Sequence, residues 1–215
     1  MAREKLVITN YSRHHEDDMS FFPKVVRMLI VGPSNCGKTN LLLNIILKKW
    51  VTFDHLNIFS KTIEQESYSQ LRDKYEKLEK EFVFKLSHFS NDIDEFPTLE
   101  ECKPNLMIVF DDCLFERQNE IKKYFMMGRH KNISCVYLSQ SYTSVDKKVI
   151  RNNLNFLCVF KQSNTYMKML WEETVNGDMN LEEFTNMCRK AWSKPHGFLT
   201  INLTSKVLEK KYSSI

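Results

Sequence analysis

Short runs rich in apolar residues, each bounded by polar residues or glycine, recur along the chain. Their length and their content of β-branched and aromatic residues are typical of strands that are buried on both faces of a sheet. The pattern predicts strands over residues 25–31, 55–60, 82–87, 106–110, 134–140, 155–161 and 197–203.

Between these runs, apolar residues recur every three or four positions, which is the helical period. Segment 64–81 shows the period with Tyr68, Leu71, Tyr75 and Leu78. Because helices alternate with apolar strands, we expect an α/β fold with three layers around a mostly parallel central sheet. The predicted helices start near Lys38 and cover 64–81, about 117–127, 145–153, 165–175 and 181–192.

The apolar pattern fills most of the chain and leaves only its two ends. A length of 215 residues suits one α/β domain with a single core. We therefore expect an N-terminal arm over 1–22, one domain over 23–204 and a C-terminal tail over 205–215. The two ends carry no readable function, and contacts with other subunits or partner proteins are one hypothesis for them.

Composition and charge exclude several classes of protein. The formal net charge of +4 tolerates a nucleic-acid partner but is too small to argue for one. No apolar run approaches about 18 residues and the N-terminus has no apolar core of a signal peptide, so we expect neither a membrane span nor secretion. The six cysteines form no Cys-x-x-Cys pair, which disfavours zinc and favours reduced thiols in the cytosol or nucleus.

The sequence Gly-Pro-Ser-Asn-Cys-Gly-Lys-Thr lies between the first predicted strand and the first predicted helix. It matches the phosphate-binding loop G-x-x-x-x-G-K-[ST], whose glycines let backbone N–H groups surround a phosphate at a helix N-terminus. Lys38 would bind the β- and γ-phosphates, and the Thr39 hydroxyl would ligate Mg²⁺. A chance match in a turn is the alternative, which the strand before and the helix after disfavour. The predicted nucleotide-binding residues are Gly32, Pro33, Ser34, Asn35, Cys36, Gly37, Lys38, Thr39 and Asn40.

Two acidic residues and one amide stand where predicted strands end. Asp111 and Asp112 follow the run 106–110, and Gln140 ends the run 134–140. Because ligands of such sheets bind at the carboxyl ends of the strands, these side chains are expected beside the phosphate loop. Asp111 would hold Mg²⁺ directly or through water, Asp112 would orient or deprotonate the attacking water, and Gln140 would sense the γ-phosphate. An acidic turn and a strand-end hydrogen bond of the amide are the alternatives.

Two arginines, Arg129 and Arg151, precede predicted strands instead of following them. A strand of about six residues spans about 20 Å, so both are expected at the edge of the sheet opposite the phosphate loop. A cation on the γ-phosphate stabilises the transition state of hydrolysis. One of these arginines would therefore act on the nucleotide of a neighbouring copy in a ring or another head-to-tail assembly. A solvated basic surface is the alternative.

Other nucleotide motifs are missing from the sequence. It contains neither the Asn-Lys-x-Asp guanine reader nor the Asp-x-x-Gly switch of Ras-like GTPases, and it lacks the Leu-Ser-Gly-Gly-Gln signature of ABC-type ATPases. ATP is therefore the expected nucleotide.

Five segments together resemble a known family. These are GPSNCGKT, IVFDD, GRHKNISCVYLSQSY, IRNNLNFLCVFK and HGFLTINL, and they are similar to those of the DNA-packaging ATPases of poxviruses, other large DNA viruses, virophages and Maverick/Polinton-type elements, within the HerA/FtsK superfamily. The resemblance spans about residues 23–204, and GRH-x-x-IS…LSQ and IRNN are its most discriminating parts. It implies a P-loop NTPase of the RecA-like (ASCE) kind.

The resemblance implies a motor in which a homo-oligomeric ring hydrolyses ATP with Mg²⁺ and translocates double-stranded DNA into a preformed capsid. Arg129 is then the arginine finger, with Arg151 as the second choice. Many motor ATPases have Glu where this chain has Asp112, and the shorter side chain makes direct base catalysis harder. The implied partners are double-stranded DNA, further copies of the chain and capsid proteins, without a membrane. The implied location is the cytoplasm or nucleus of a host cell, or the virion.

Three other functions remain as alternatives at this point. A P-loop nucleoside or nucleotide kinase would need an arginine-rich lid and an acceptor pocket. An ATP-gated adaptor that docks on a capsid or replication protein would not need Asp112 or Gln140. A helicase-like or DNA-pumping ATPase outside packaging would share every residue named above.

Overall fold

The computed structural model describes residues 21–82, 85–113 and 118–214. Helices in these residues are α1 (Lys38–Leu47), α2 (Glu66–Phe82), α3 (Gln118–Met127), α4 (Asn164–Thr174), α5 (Leu181–Ala191) and α6 (Leu208–Lys211). Strands are β1 (Arg27–Val31), β2 (His55–Ser60), β3 (Ser87–Ser90), β4 (Leu106–Asp111), β5 (Ser134–Ser139), β6 (Phe156–Phe160), β7 (Phe198–Asn202) and β8 (Tyr212–Ser214).

Within the described residues, eight strands form one sheet in the order β3-β2-β4-β5-β1-β6-β7-β8. Strands β1 to β6 pair in parallel, and β7 pairs antiparallel with both β6 and β8. The predicted α/β fold with a mostly parallel sheet is confirmed. The carboxyl ends of β1, β4 and β5 therefore meet at one edge, where the candidate side chains follow them.

Two separate hydrophobic clusters lie on the two faces of the sheet. Helices α1 and α2 cover one face, where Met28 and Ile30 of β1 pack. Helices α3, α4 and α5 cover the other face, where Leu29 and Val31 of the same strand pack. Since alternate residues of one strand enter different clusters, the strand has to be apolar throughout, which explains the unbroken run in the sequence.

Helices α5 and α1 are capped differently at their N-termini, and the start of α1 belongs to the candidate site. Helix α5 begins with a capping box in which Asn180 and Glu183 satisfy each other's backbone N–H groups. Helix α1 instead begins after Gly37, a left-handed residue without a side-chain cap. The first N–H groups of α1 are thus left for a ligand, in keeping with the phosphate-loop motif.

Two predicted elements differ from those observed. The strand predicted over 82–87 is wrong in position: β3 covers Ser87–Ser90, and residues 83 and 84 lie outside the described part of the chain. Glu79 accepts hydrogen bonds from the N–H groups of Leu86 (2.8 Å) and Ser87 (2.6 Å), and this cap separates α2 from the strand.

The helix predicted over 145–153 is reduced to turns and a 3₁₀ helix, Arg151–Asn153. The Asp146 carboxylate caps one turn by accepting the N–H of Val149 at 2.7 Å. The backbone bonds that follow run from Arg151 and Asn152 to the fifth residue before each, and then from Asn153 and Leu154 to the third, so the single turn tightens into a 3₁₀ helix and does not continue as an α-helix.

Both chain ends contact the domain where they are described. Phe22 packs against Phe156 of β6 with ring centroids 4.7 Å apart, while residues 1–20 of the predicted arm lie outside the described residues. The predicted tail contains α6 and β8, and β8 joins the sheet beside β7. Tyr212 donates to the carboxylate of Asp178 at 2.6 Å, and Lys211 forms an ion pair with the same group, so the segment is fastened to the loop between α4 and α5. Residue 215 lies outside the described residues.

All six cysteines are free thiols, as predicted, and five of them are buried. In the described ranges, no helix is both long enough and apolar enough to cross a membrane.

A buried asparagine joins the amino ends of β1 and β6. Asn155 is 4% exposed, its Oδ1 accepts the N–H of Arg27 at 2.7 Å, and its Nδ2 donates to the carbonyl of Val25 at 2.8 Å. Both bonds satisfy backbone groups of the chain entering β1, the strand that carries the phosphate loop.

Replacing Asn155 by Ala is expected to lower the free energy of unfolding by about 1–3 kcal/mol, because buried backbone groups lose their partners. Urea denaturation followed by circular dichroism measures this. Asn152→Ala, at an exposed position nearby, is the matched control and should stay within about 0.5 kcal/mol of wild type. Equal stabilities of the two variants would contradict this structural role.

Candidate functional site

The phosphate-loop motif forms a tight turn between β1 and α1 at the carboxyl edge of the sheet. The loop begins where the N–H of Gly32 bonds the carbonyl of Ser139 at the end of β5, with 3.1 Å between N and O. Asn35 (φ 60°) and Gly37 (φ 108°) are both left-handed. Successive backbone amides in such a turn form a concave anion-binding nest at the positive end of α1.

Lys38 lies over this turn. Its ammonium group donates to the carbonyl oxygens of Gly32 at 2.8 Å and Pro33 at 2.9 Å. A side chain that curls back over its own loop places a positive charge above the concave face. This is the position from which a lysine binds terminal phosphates.

Residues from distant strands brace the loop. The Nδ1 atom of His196, which precedes β7, is hydrogen-bonded to the carbonyl of Cys36 at 3.1 Å. Phe160 at the end of β6 is so close to Gly32 that an added Cβ would lie 2.6 Å from the Phe160 Cβ and 2.6 Å from the Cys36 sulfur. Burial raises the pKa of the Cys36 thiol although Lys38 opposes the shift, so Cys36 acts as a neutral packing group.

A buried tyrosine lies beside both predicted magnesium ligands. Asp111 ends β4 with 8% exposure, and its Oδ2 accepts hydrogen bonds from Tyr68 at 2.7 Å and from Ser60 at 3.4 Å. The side chain of Thr39, at the start of α1, lies beside the same phenol. Thr39 and Asp111, 72 positions apart in the sequence, are therefore both neighbours of one phenol group.

Burial dominates the electrostatics of this group of residues. It raises the pKa of Asp111, while the hydrogen bond from Tyr68 and the charge of Lys38 act in the opposite direction. Burial and the neighbouring Asp111 raise the pKa of Tyr68 well above its ordinary value. The phenol therefore stays protonated at neutral pH, and Tyr68 donates to Asp111.

Magnesium fits this donor set. Mg²⁺ prefers oxygen ligands and is commonly held by one or two carboxylates, waters and substrate phosphates. Thr39 and Asp111 supply one hydroxyl and one carboxylate. In the described part of the chain no group of three or more His, Cys, Asp or Glu side chains forms a metal cage, so phosphates and water would complete the coordination.

The two remaining polar candidates lie at the same edge with exposed side chains. Asp112 directly follows Asp111 and has a left-handed backbone (φ 56°), which is sparsely populated by residues other than glycine and concentrates at functional sites. The Oε1 atom of Gln140 accepts a hydrogen bond from Ser34 in the phosphate loop at 3.2 Å. The fold thus brings Gln140 to the loop and Asp112 to the same edge of the sheet. Asn40 is exposed in the first turn of α1.

The two candidate arginines lie at the opposite edge and differ in accessibility. Arg129 is exposed in a 3₁₀ helix, Gly128–Lys131, that precedes β5. Arg151 has only 7% of its side chain exposed, forms a 2.9 Å ion pair with Glu173 and packs 4.6 Å from the Tyr142 ring centroid. Neither arginine is brought to the loop of its own chain, because β5 and β6 separate them from it.

Sequence reasoning missed Tyr68, Ser60 and His196. Tyr68 was assigned only to the apolar stripe of a helix, where a phenol resembles a packing residue. His196 stands beside a glycine in the last segment of the family resemblance, which is the only sequence signal that could have drawn attention to it.

Comparison with known proteins gives one family and a set of similar structures. The model of the family described as "Poxvirus A32 protein" matches residues 10–211. No curated protein matches the chain.

The chain is similar in structure to the genome packaging NTPase B204 from Sulfolobus turreted icosahedral virus 2 in complex with sulfate. The sequence identity is 12% and the TM-score 0.63, and the match covers 90% of this chain and 96% of that chain. For the complex of the same protein with AMPPCP, the identity is 11% and the TM-score 0.61, and the match covers 90% of this chain and 98% of that chain. For B204 described as the DNA-packaging ATPase from Sulfolobus Turreted Icosahedral Virus, the identity is 12% and the TM-score 0.56, with 87% of this chain and 95% of that chain covered. These likenesses establish the fold.

Gly32→Ala is expected to lower the free energy of unfolding by about 1–3 kcal/mol, because the added methyl group overlaps Phe160. For a chain of this length the melting temperature falls by about 2–4 °C per kcal/mol, which differential scanning calorimetry measures. Gly177→Ala is the matched control, since nothing lies within 4 Å of a Cβ added there. An unchanged melting temperature of Gly32→Ala would show that Phe160 does not constrain the loop.

Proposed function

The chain belongs to the poxvirus A32 protein family, and we propose that it is an ATP-hydrolysing motor that packages double-stranded DNA into a viral capsid. The observation that carries the proposal is the meeting of the phosphate loop, Thr39 and the buried Asp111 at one edge of the sheet. Family membership supplies the viral context, and the titles of the similar B204 structures name genome packaging for that protein.

In this proposal the loop binds the phosphates of ATP. Residues 32–40 surround the β-phosphate with backbone N–H groups, and Lys38 moves from the loop carbonyls to the β- and γ-phosphates. Thr39 and Asp111 would hold Mg²⁺, which would supply positive charge beside the phosphates. The complexes of B204 with AMP, AMPPCP and ATP-γS support nucleotide binding by this fold.

Hydrolysis requires water to be positioned beside the γ-phosphate. Asp112 is exposed at the end of β4 and accepts a proton from that water or orients it. Gln140 is linked to the loop through Ser34 and contacts the γ-phosphate or the water. Because Asp112 is one methylene shorter than Glu, orienting the water is the role that its reach favours.

The arginine finger acts between copies of the chain. Arg129 is exposed at the edge opposite its own loop, across the six residues of β5 or about 20 Å. Met126 and Met127, beside it, are 50% and 43% exposed, and methionine and arginine are both enriched in protein interfaces. A head-to-tail ring brings this edge to the phosphate loop of the next copy. Arg151 no longer belongs to the proposal, since Glu173 and Tyr142 hold it in the domain.

Double-stranded DNA and capsid proteins are the partners in this proposal, and the infected host cell is its location. A nucleotide kinase is not supported, because an arginine-rich lid is missing. The connection between β6 and β7, residues 161–197, contains one arginine, Arg189 on α5.

Steady-state ATP hydrolysis should rise on addition of long double-stranded DNA, and specific activity should rise with protein concentration as rings assemble. A coupled ADP-release assay measures both effects. Added nucleosides serve as the control and should leave ADP release unchanged. Release that depends on a nucleoside and not on DNA would replace the motor by a kinase.

Arg129→Ala should lower kcat by about 10³-fold, the lower end of the effect of an arginine finger. Arg189→Ala, at another exposed arginine, is the matched control and should retain the wild-type rate. Mixing Arg129→Ala with Lys38→Ala should restore part of the activity, because some interfaces then combine an intact loop with an intact finger. A mixture as inactive as its parts would rule out action between copies.

A further inference from the structure

We propose that Tyr68 is a positioning residue of the magnesium site, and that its hydroxyl group fixes the side-chain orientations of Thr39 and Asp111. The inference rests on the proposed function, because it concerns how the chain binds a nucleotide together with Mg²⁺. Tyr68 belongs neither to the phosphate loop nor to the acidic strand. It reaches the site from the first turn of α2.

The contact geometry ties Tyr68 to Asp111 and places it beside Thr39. The phenol is fully buried and donates to Asp111 Oδ2 over 2.7 Å. The Thr39 side chain lies beside the same phenol. Because the phenol proton goes to Asp111, the phenol oxygen can act towards Thr39 only as an acceptor.

This arrangement suits two oxygen ligands. A hydroxyl group that ligates a cation offers a lone pair to it, so its proton needs an acceptor elsewhere, and the phenol oxygen beside Thr39 is available as one. Tyr68 and Ser60 both donate hydrogen bonds to Oδ2 of Asp111. The other oxygen, Oδ1, is then the one that ligates the cation. Groups that orient metal ligands in this way commonly contribute about 10–100-fold to metal affinity.

A purely structural role would not require the hydroxyl group. The Tyr68 ring lies in the hydrophobic cluster between the sheet and helices α1 and α2, where phenylalanine would pack equally well. Tyr75 lies two turns further along α2 and shows the contrast. In the described residues its ring packs against Phe89, with centroids 6.3 Å apart, and its hydroxyl makes no hydrogen bond.

The test compares Tyr68→Phe with wild type in the binding of a fluorescent ADP analogue, first in EDTA and then over a series of MgCl₂ concentrations. In EDTA, the affinity of Tyr68→Phe for the analogue should match that of wild type, because the phosphate loop is unchanged. Mg²⁺ is expected to increase the affinity for the analogue. The Mg²⁺ concentration that produces half of this increase should be about 10-fold higher for Tyr68→Phe than for wild type. Tyr75→Phe removes a hydroxyl group from the same helix and should behave as wild type.

The outcomes separate the inference from the proposed function. If wild type binds the analogue without any effect of Mg²⁺, both fail. If wild type responds to Mg²⁺ and Tyr68→Phe responds at the same concentration, only the role of Tyr68 fails. Loss of affinity in EDTA would assign Tyr68 to the packing of the loop instead. Thermal melting shows whether the variant is folded, which is expected because the aromatic ring remains.

Discussion

The structure of the site depends on one buried carboxylate. Asp111 is almost completely removed from water at the end of a central strand, where a charge is unfavourable unless hydrogen-bond donors surround it. Tyr68 of α2 and Ser60 of β2 provide those donors. Strand β2 and the start of α2 must therefore be docked before the site is complete. In the proposed function, metal binding and the packing of this half of the domain are thereby coupled.

The phosphate loop depends in the same way on the other half of the sheet. Its backbone is held by Ser139 of β5, by His196 before β7 and by Phe160 of β6. None of these residues needs to contact a nucleotide. Together they limit the conformations of the loop, which lowers the entropic cost of surrounding a phosphate. β1 lies between β5 and β6, and this position makes the support possible.

The two edges of the sheet have complementary chemistry. The carboxyl edge carries the loop, the acidic pair and Gln140, whereas the amino edge carries the exposed Arg129. One chain cannot bring its two edges together, because the strands keep them apart. In the proposed mechanism a complete hydrolytic site needs two copies, which would make hydrolysis depend on assembly. In a motor this dependence can couple neighbouring steps.

The sequence alone determined the order along the chain of β1 to β7 and of α1 to α5, the phosphate loop and the position of Asp111, Asp112 and Gln140 at strand ends. Each is a local pattern of hydrophobicity or of glycine, and the β2 bounds, His55–Ser60, were predicted without error. Only the tertiary structure decided that Tyr68 donates to Asp111, that His196 braces Cys36 and that Arg151 is held by Glu173. Tyr68 and Asp111 are 43 positions apart, and His196 and Cys36 are 160 apart. No periodic pattern encodes such contacts, because they arise from the order in which the strands pair and from the way the helices cover them.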